Sequence, residues 1–348
     1  MTEIQSLIIT WYQENKRDLP WRRTKNPYFI WLSEVILQQT RVIQGMSYYE
    51  KFVEKYPKIE YLASANEQEV LSTWQGLGYY SRARNLHTTA KQITSEYKGV
   101  FPSSYEQILK LKGVGEYTAA AIASFAYDKP YAVVDGNVFR VLSRIFNIET
   151  SIDSTGGKKQ FTYLANELMD KNQPALFNQA IMEFGALQCV PGTPNCEICP
   201  LLMFCEANKN KNVSSLPVKK GKTKVRNRYF LYFVKVDAQT ETLLLRQKTE
   251  TDIWQNMYEF PKIEFESLEN MNEFCLINRG AIKMTSSLQK HVLSHQHLHA
   301  QFVHCSNSEI FNDKDTVEIP ISELGSYPLP RLIDRFLEQN QLIFPDKP

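Results

Sequence analysis

Four of the six cysteines in this 348-residue chain, Cys189, Cys196, Cys199 and Cys205, fall within seventeen residues. The intervening stretches of six, two and five residues are too short for a globular core to form between them. Disulfides need oxidising surroundings, and the N-terminal Met1-Thr-Glu-Ile-Gln-Ser does not read as a secretory signal. In a reducing compartment four clustered thiolates most naturally hold a metal. Structural zinc usually shows two CxxC pairs far apart, whereas here one CxxC is flanked by two single cysteines. One short wrapped loop suits a 4Fe-4S cluster better than zinc. Free buried thiols are the third reading.

The length predicts two domains, and no apolar run approaches membrane-spanning length. The net charge of +2 hides an asymmetry: residues 1–224 carry 27 Lys and Arg against 21 Asp and Glu, the remainder 13 against 17. A basic front half is where contact with a polyanion is expected, although an ordinary solvated surface would read the same way. Up to about residue 205 the apolar spacing is helical. It predicts helices over Thr2–Glu14, Pro27–Gln44, Ser81–Tyr97, Ser103–Lys110, Glu116–Tyr127, Asn137–Phe146 and Pro174–Leu187, with Ser103 and Glu106 as a capping box. Residues 207–224 are polar and basic and read as a linker. Beyond them alternation predicts strands over Tyr229–Val236, Thr242–Arg246 and Leu298–His304, then a closing helix over Pro330–Asn340. The expectation is an all-α domain over 1–206 with the cysteine loop at its end, a linker over 207–224 and an α+β domain over 225–348.

Leu111-Lys112-Gly113-Val114-Gly115 lies between two helix candidates. Gly113 and Gly115 allow a tight turn that presents bare N–H groups at the next helix, an anion site able to hold phosphate without reading sequence, although a plain helix–helix turn is the commoner fate of a GxG. Twenty residues on, Asp135 in Val134-Asp135-Gly136-Asn137 opens another helix. Hairpin, aspartate and cysteine loop, in that order, resemble the helix-hairpin-helix DNA glycosylases of the endonuclease III superfamily over about residues 5–206. Strand-cutting members carry a lysine two residues after the second hairpin glycine to form a Schiff base. Here that position is Tyr117, so the resemblance implies a predominantly monofunctional glycosylase.

Three further segments narrow the resemblance: Asp18-Leu19-Pro20-Trp21-Arg22, Trp31-Leu32-Ser33-Glu34-Val35-Ile36-Leu37-Gln38-Gln39-Thr40 and Gly76-Leu77-Gly78-Tyr79-Tyr80-Ser81-Arg82-Ala83-Arg84-Asn85-Leu86. They are similar to the adenine DNA glycosylase (MutY) family, which removes adenine mispaired with 8-oxoguanine. An adenine anion leaves poorly, so cleavage needs an acid. Glu34, in an apolar helix, is expected to have a raised pKa and to donate the proton, then to deprotonate water. Asp135, beside helix N–H groups, is expected to stay ionised and to stabilise the sugar cation. The resemblance adds Tyr117 as a further contact, Gln39 and Tyr79 as wedges that offset the loss of stacking on base extrusion, and Trp21, Arg22 and Leu37 as the lining of the adenine pocket. Tyr80, Arg82 and Arg84 face phosphate or simply pack. Gln179 stands where some members have a glutamate, and the loop between Cys189 and Cys196 lacks the basic residues common in the superfamily.

Trp254-Gln-Asn-Met257-Tyr258-Glu259-Phe260-Pro261 resembles the strand and turn of Nudix-type domains, but the glutamate-rich box that hydrolyses nucleotides is missing. In the family this domain recognises 8-oxoguanine through an aromatic-Ser-His element, here Leu293-Ser294-His295 with leucine for the aromatic residue. His291, His295, His297, His299 and His304 read as strand-surface histidines rather than a metal site, and Cys275 and Cys305 as small buried hydrophobes. The expected partner is double-stranded DNA with A·8-oxoG or A·G mispairs, bound by a monomer in the cytoplasm at the nucleoid, with no membrane contact. Two rivals stand beside this: the same fold with another preference, such as thymine from T·G, and a non-catalytic DNA-binding module.

Overall fold

A computed structural model describes residues 1–221, 225–237, 239–284, 286–305 and 315–340. The chain divides into two compact units: Met1–Ser64 with Asn85–Gly221, and Ala65–Arg84 with Lys222–Pro348. Residues 65–84, assigned to the first domain on sequence, thus group with the second.

The described part of the first unit is helical: α1 (Glu3–Asn15), α2 (Pro27–Leu37), α3 (Val42–Lys55) and α4 (Ile59–Ser64) precede α5 (Glu67–Thr73) of the second unit. α6 (Ser81–Glu96) crosses from one unit into the other, and α7 (Tyr105–Leu109), α8 (Glu116–Tyr127), α9 (Gly136–Ile145), α10 (Thr155–Leu168), α11 (Pro174–Leu187) and α12 (Glu206–Lys209) follow. α1 starts where Thr2 and Gln5 form a reciprocal capping box. α2 is buried without interruption from Ile30 to Ile36, as a central helix must be. Alanines at 119, 120, 121 and 123 keep α8 thin and wholly buried over Thr118–Phe125. A core of Ile8, Phe161, Phe177 and Phe184 joins α1, α10 and α11 with α9.

Several local expectations change. The single helix over Pro27–Gln44 is two helices, because Gln39 takes a left-handed φ of 56° and α3 restarts at Val42. Glutamine has good helix propensity, so tertiary context overrides it here. The cap of α7 is Ser104, not Ser103: its hydroxyl accepts from Gln107 N at 3.2 Å. α3, α4, α5 and α10 lie in stretches without a sequence signal strong enough to place them. In α10 the pair Gly156-Gly157 lies in the first turn. A Cβ on Gly157 would come within 2.0 Å of Ser151 O, so the glycine is what allows that approach.

The expected linker is packed as far as Gly221. Ala207 and Leu216 are buried. Arg144 donates to Val213 O at 3.0 Å and Leu216 O at 3.2 Å, and Asp153 accepts from Lys220 N and Gly221 N. Residues 222–224 of that expected linker lie outside the described residues.

The second unit holds two sheets. β1 (Arg226–Val234), β2 (Val236–Asp237), β3 (Thr242–Gln247), β4 (Tyr258–Glu259) and β5 (Lys262–Phe265) precede helix α13 (Leu268–Ile277). β6 (Ile282–Met284), β7 (Gln289–Val292), β8 (Gln296–Cys305), β9 (Thr316–Pro320) and α14 (Arg331–Gln339) follow. β1 pairs parallel with β8, from Arg226 opposite Gln296 to Val234 opposite His304, with β5 antiparallel to β1 and with β6 and β7 antiparallel to β8. The second sheet runs β2-β3-β4 with β9 on β3. The expected strand Tyr229–Val236 is therefore split between sheets at Lys235. Phe302 stacks on Phe336 of α14 at 3.9 Å and on Tyr232 at 5.2 Å, closing the core. In the same unit Ser72, within α5, donates to Gly325 O, and Gln75 bonds Asp334 and Leu329 N.

Candidate active site

A cavity of about 560 Å³ in the first unit is lined by residues of α2, α8, α9 and α11 and of the 17–22 segment. Glu34, Tyr117 and Asp135 meet there, with Trp21, Arg22, Leu37, Gln39 and Gln179. Glu34 is only 8% exposed, and the Tyr117 hydroxyl donates to its Oε2 at 2.8 Å. Burial pushes the Glu34 carboxyl up to about 7. The nearby Asp135 charge adds to this, while the Tyr117 hydrogen bond and Arg22 oppose it. The Tyr117 phenol is itself raised by burial and by both carboxylates, so it stays a neutral donor.

Asp135 caps α9. Its Oδ1 accepts from Asn137 N at 2.9 Å and Val138 N at 2.8 Å, and its Oδ2 from Asn137 Nδ2 at 2.7 Å. Burial outweighs these bonds and Arg140, so the Asp135 carboxyl is raised rather than held low by the helix amides as expected. Arg140 in turn donates to Asn137 Oδ1 at 2.8 Å, which fixes the asparagine that holds the aspartate.

Glu183 also lines the cavity and was not singled out from sequence. It is 1% exposed and takes a two-pronged contact from Arg17 at 2.8 and 2.6 Å and one from Arg22 at 2.7 Å. Burial alone would raise this carboxyl, but the two guanidinium groups hold it at about 2. Its sequence signal is the helical spacing of four from Gln179, whose Oε1 accepts from the Tyr12 hydroxyl at 2.9 Å. Trp21 sets its ring edge-on to Tyr49 at 5.1 Å.

The remaining predicted residues lie elsewhere. Gly113 takes φ 73° in the α7–α8 turn, where a Cβ would reach 2.6 Å from Asn85 Cβ; Gly115 caps α8. Tyr79, Ser294 and His295 come together in a second cavity, of about 360 Å³, within the second unit. Tyr79 is exposed with φ 50°, and Ser294 Oγ lies 3.2 Å from His295 Nδ1. Tyr80 and Arg82 pack: Tyr80 is buried, and Arg82 donates to Leu77 O and Gly78 O beneath the Trp74 ring. Arg84 donates to Gln255 O at 3.0 Å.

The four loop cysteines are free thiols lining one small cavity with Arg144, whose Nη1 lies 3.3 Å from Cys189 Sγ. Among the described residues no three His, Cys, Asp or Glu side chains converge as a single ion would need. Four cysteines lining one cavity are a donor set that fits a thiolate-held metal group. Of the strand histidines, His299 stacks on Tyr229, His291 packs edge-on to Trp254, and His304 Nδ1 lies 2.9 Å from Val234 O. Cys275 is half-buried, and the Cys305 side chain lies outside the described residues.

Residues 32–167 match the family described as HhH-GPD superfamily base excision DNA repair protein, and residues 231–339 match the NUDIX domain family. A solved thermostable thymine-DNA glycosylase is 32% identical with a TM-score of 0.56, covering 60% of this chain and 95% of that one. A non-covalent endonuclease III–DNA complex, at 22% identity and TM-score 0.52 over 60% of this chain and 94% of that one, shares the fold. Fold and cavity together define a helix-hairpin-helix DNA N-glycosylase. The adenine DNA glycosylase of Buchnera aphidicola subsp. Schizaphis graminum is 36% identical over 259 residues, 74% of each chain. That of Homo sapiens is 43% identical over 218 residues, 60% of this chain and 40% of that one. The chain belongs to the adenine DNA glycosylase family. Among the described residues no helix is long and apolar enough to cross a membrane.

Proposed function

We propose that this enzyme excises adenine opposite 8-oxoguanine or guanine in double-stranded DNA by hydrolysis of the N-glycosidic bond. The observation that carries the reading is Glu34: a buried acid, raised to about 7, hydrogen-bonded by Tyr117 and facing Asp135 in one cavity. Protonated Glu34 donates to a purine nitrogen, so that the electrons of the breaking C1′–N9 bond are taken up by a neutral leaving base. The sugar left behind carries positive charge, which the Asp135 carboxylate stabilises. Glu34, now ionised, accepts a proton from the attacking water as hydroxide adds to C1′, and the acid is restored. Tyr117 offers no amine for an imine, which supports a monofunctional enzyme.

Gln39 and Tyr79 act as wedges during base extrusion, and Trp21, Arg22, Leu37 and Gln179 bound the adenine site. Gly113 and Gly115 present amides to phosphate. Tyr79, Ser294 and His295 form the opposite-base site, which the shared cavity supports. Cys189, Cys196, Cys199 and Cys205 hold a 4Fe-4S cluster that braces the loop following α11. The protein works as a monomer on chromosomal DNA in the cytoplasm.

Duplexes carrying A·8-oxoG, A·G, T·G and A·T, incubated with the protein and then treated with hot alkali, test this reading. Nicks at A·8-oxoG and A·G are expected. Nicks only at T·G would transfer the activity to thymine, and none at all would leave a binding module.

A further inference from the structure

We infer that Arg228 is a positioning residue for opposite-base selection, because it ties together the two loops that wall the second cavity. The inference rests on the reading of that cavity as the opposite-base site. Arg228 sits near the start of β1, 7% exposed, with its guanidinium over the Phe230 ring at 4.9 Å. Nε and Nη2 fork onto Glu264 at 2.8 and 2.6 Å. That pairing alone would satisfy a buried arginine's charge. Nη1 does something else: it reaches Asp252 at 2.8 and 3.0 Å and Gln296 Oε1 at 3.2 Å.

Each of those two partners opens or closes a wall. Asp252 begins the 252–254 segment that lines the cavity on one side. Gln296 ends the turn that presents Ser294 and His295, closed by Leu293 N donating to Gln296 O at 2.8 Å. The 252–256 segment needs holding. Trp254 and Asn256 both take left-handed backbone, at φ 62° and 65°, a conformation that strains a tryptophan. Lys248 Nζ gives Asp252 a second anchor at 3.3 Å, and Arg84 grips Gln255 O. No such second anchor for the Gln296 side chain is among the described hydrogen bonds. A guanidinium is planar and rigid, so its span sets the separation of the two walls; a lysine has one point of charge and cannot.

The test uses the full chain and three variants: Gln296→Leu, which cuts the tie to the turn and leaves Arg228 paired with both carboxylates; Arg228→Lys, which keeps the charge and loses the fork; and Ser294→Ala as the control for the site itself. Single-turnover excision is measured on A·8-oxoG and on A·G, with thermal melting alongside. For Gln296→Leu and Arg228→Lys the preference for A·8-oxoG should fall roughly tenfold, about one base-directed hydrogen bond, with the A·G rate held within about twofold. Equal losses on both duplexes would make Arg228 merely structural and overturn the inference. Full preference in Gln296→Leu, with preference lost in Ser294→Ala, would overturn it while leaving the site reading intact. Full preference in all three variants would sink the site reading as well.

Discussion

Replacing Glu34 by glutamine should abolish excision and, in alkaline solution, make the catalytic unit more stable. The amide cannot donate the proton that adenine needs, and general acid catalysis alone contributes about a hundred- to ten-thousand-fold. The stability effect follows from the raised pKa. Folding moves the Glu34 carboxyl from 4.5 to about 7, chiefly by burial. The folded state therefore binds the proton more tightly than the unfolded chain, and folding is weakened as pH rises from 4.5 through about 7. A gap of this size, at about 1.4 kcal/mol per pH unit, costs about 3 kcal/mol at pH 8 and under about 1 kcal/mol at pH 5. The substituted amide has no proton to lose, so the variant escapes that cost while its oxygen still accepts from Tyr117. The melting temperature of the variant relative to the parent should therefore rise by roughly 5 °C or more between pH 5 and pH 8. Calorimetry at the two pH values reads the difference, and binding to an A·8-oxoG duplex confirms that the fold is kept. A gap that does not change with pH would mean that Glu34 is not a buried acid with a raised pKa. Normal excision by the variant would remove it from catalysis.

Tyr117→Phe deletes the hydrogen bond that favours ionised Glu34, so the alkaline limb of the excision profile should move up by about one pH unit; a limb that stays or moves down would refute that contact. Tyr117→Lys should yield a weak borohydride-trapped adduct with DNA, because burial favours the neutral amine and the two carboxylates oppose it; a mutant that binds DNA and traps nothing places position 117 away from the sugar. Protein purified without oxygen should be brown and carry about four irons per chain, and Cys199→Ser should lose iron and loosen the 189–205 loop; one zinc and no iron would exclude the cluster. A fragment ending at Gly221 should keep adenine excision and lose preference for A·8-oxoG, although Ser72 and Gln75 lose their partners Gly325, Asp334 and Leu329, so its rate should also drop; unchanged preference would assign lesion reading to the fragment alone.

What the sequence determined by itself was local or chemically singular. Four cysteines in one short loop pointed to a bound metal by residue type and spacing, whereas the roles expected of Glu34, Asp135 and Tyr117 came from segments that resemble the glycosylase family. The bounds of α8 and α11 followed from apolar period, and the change to alternation after residue 225 marked the sheets. Tertiary structure decided the rest. Nothing in the run of glutamines required a left-handed residue at Gln39, since their propensity favours continuing the helix. The 207–221 stretch looked like a linker because its anchors are backbone groups, carbonyls of Val213 and Leu216 taken by Arg144, and main-chain groups leave no trace in side-chain composition. Glu183 became part of the site only when folding brought Arg17 and Arg22 to it across more than 160 residues. The same holds for Tyr79 with Ser294 and for the grouping of 65–84 with the second unit. Pairings of that length depend on which surfaces meet, and burial, which raised Glu34 and Asp135 alike, exists only once they have met.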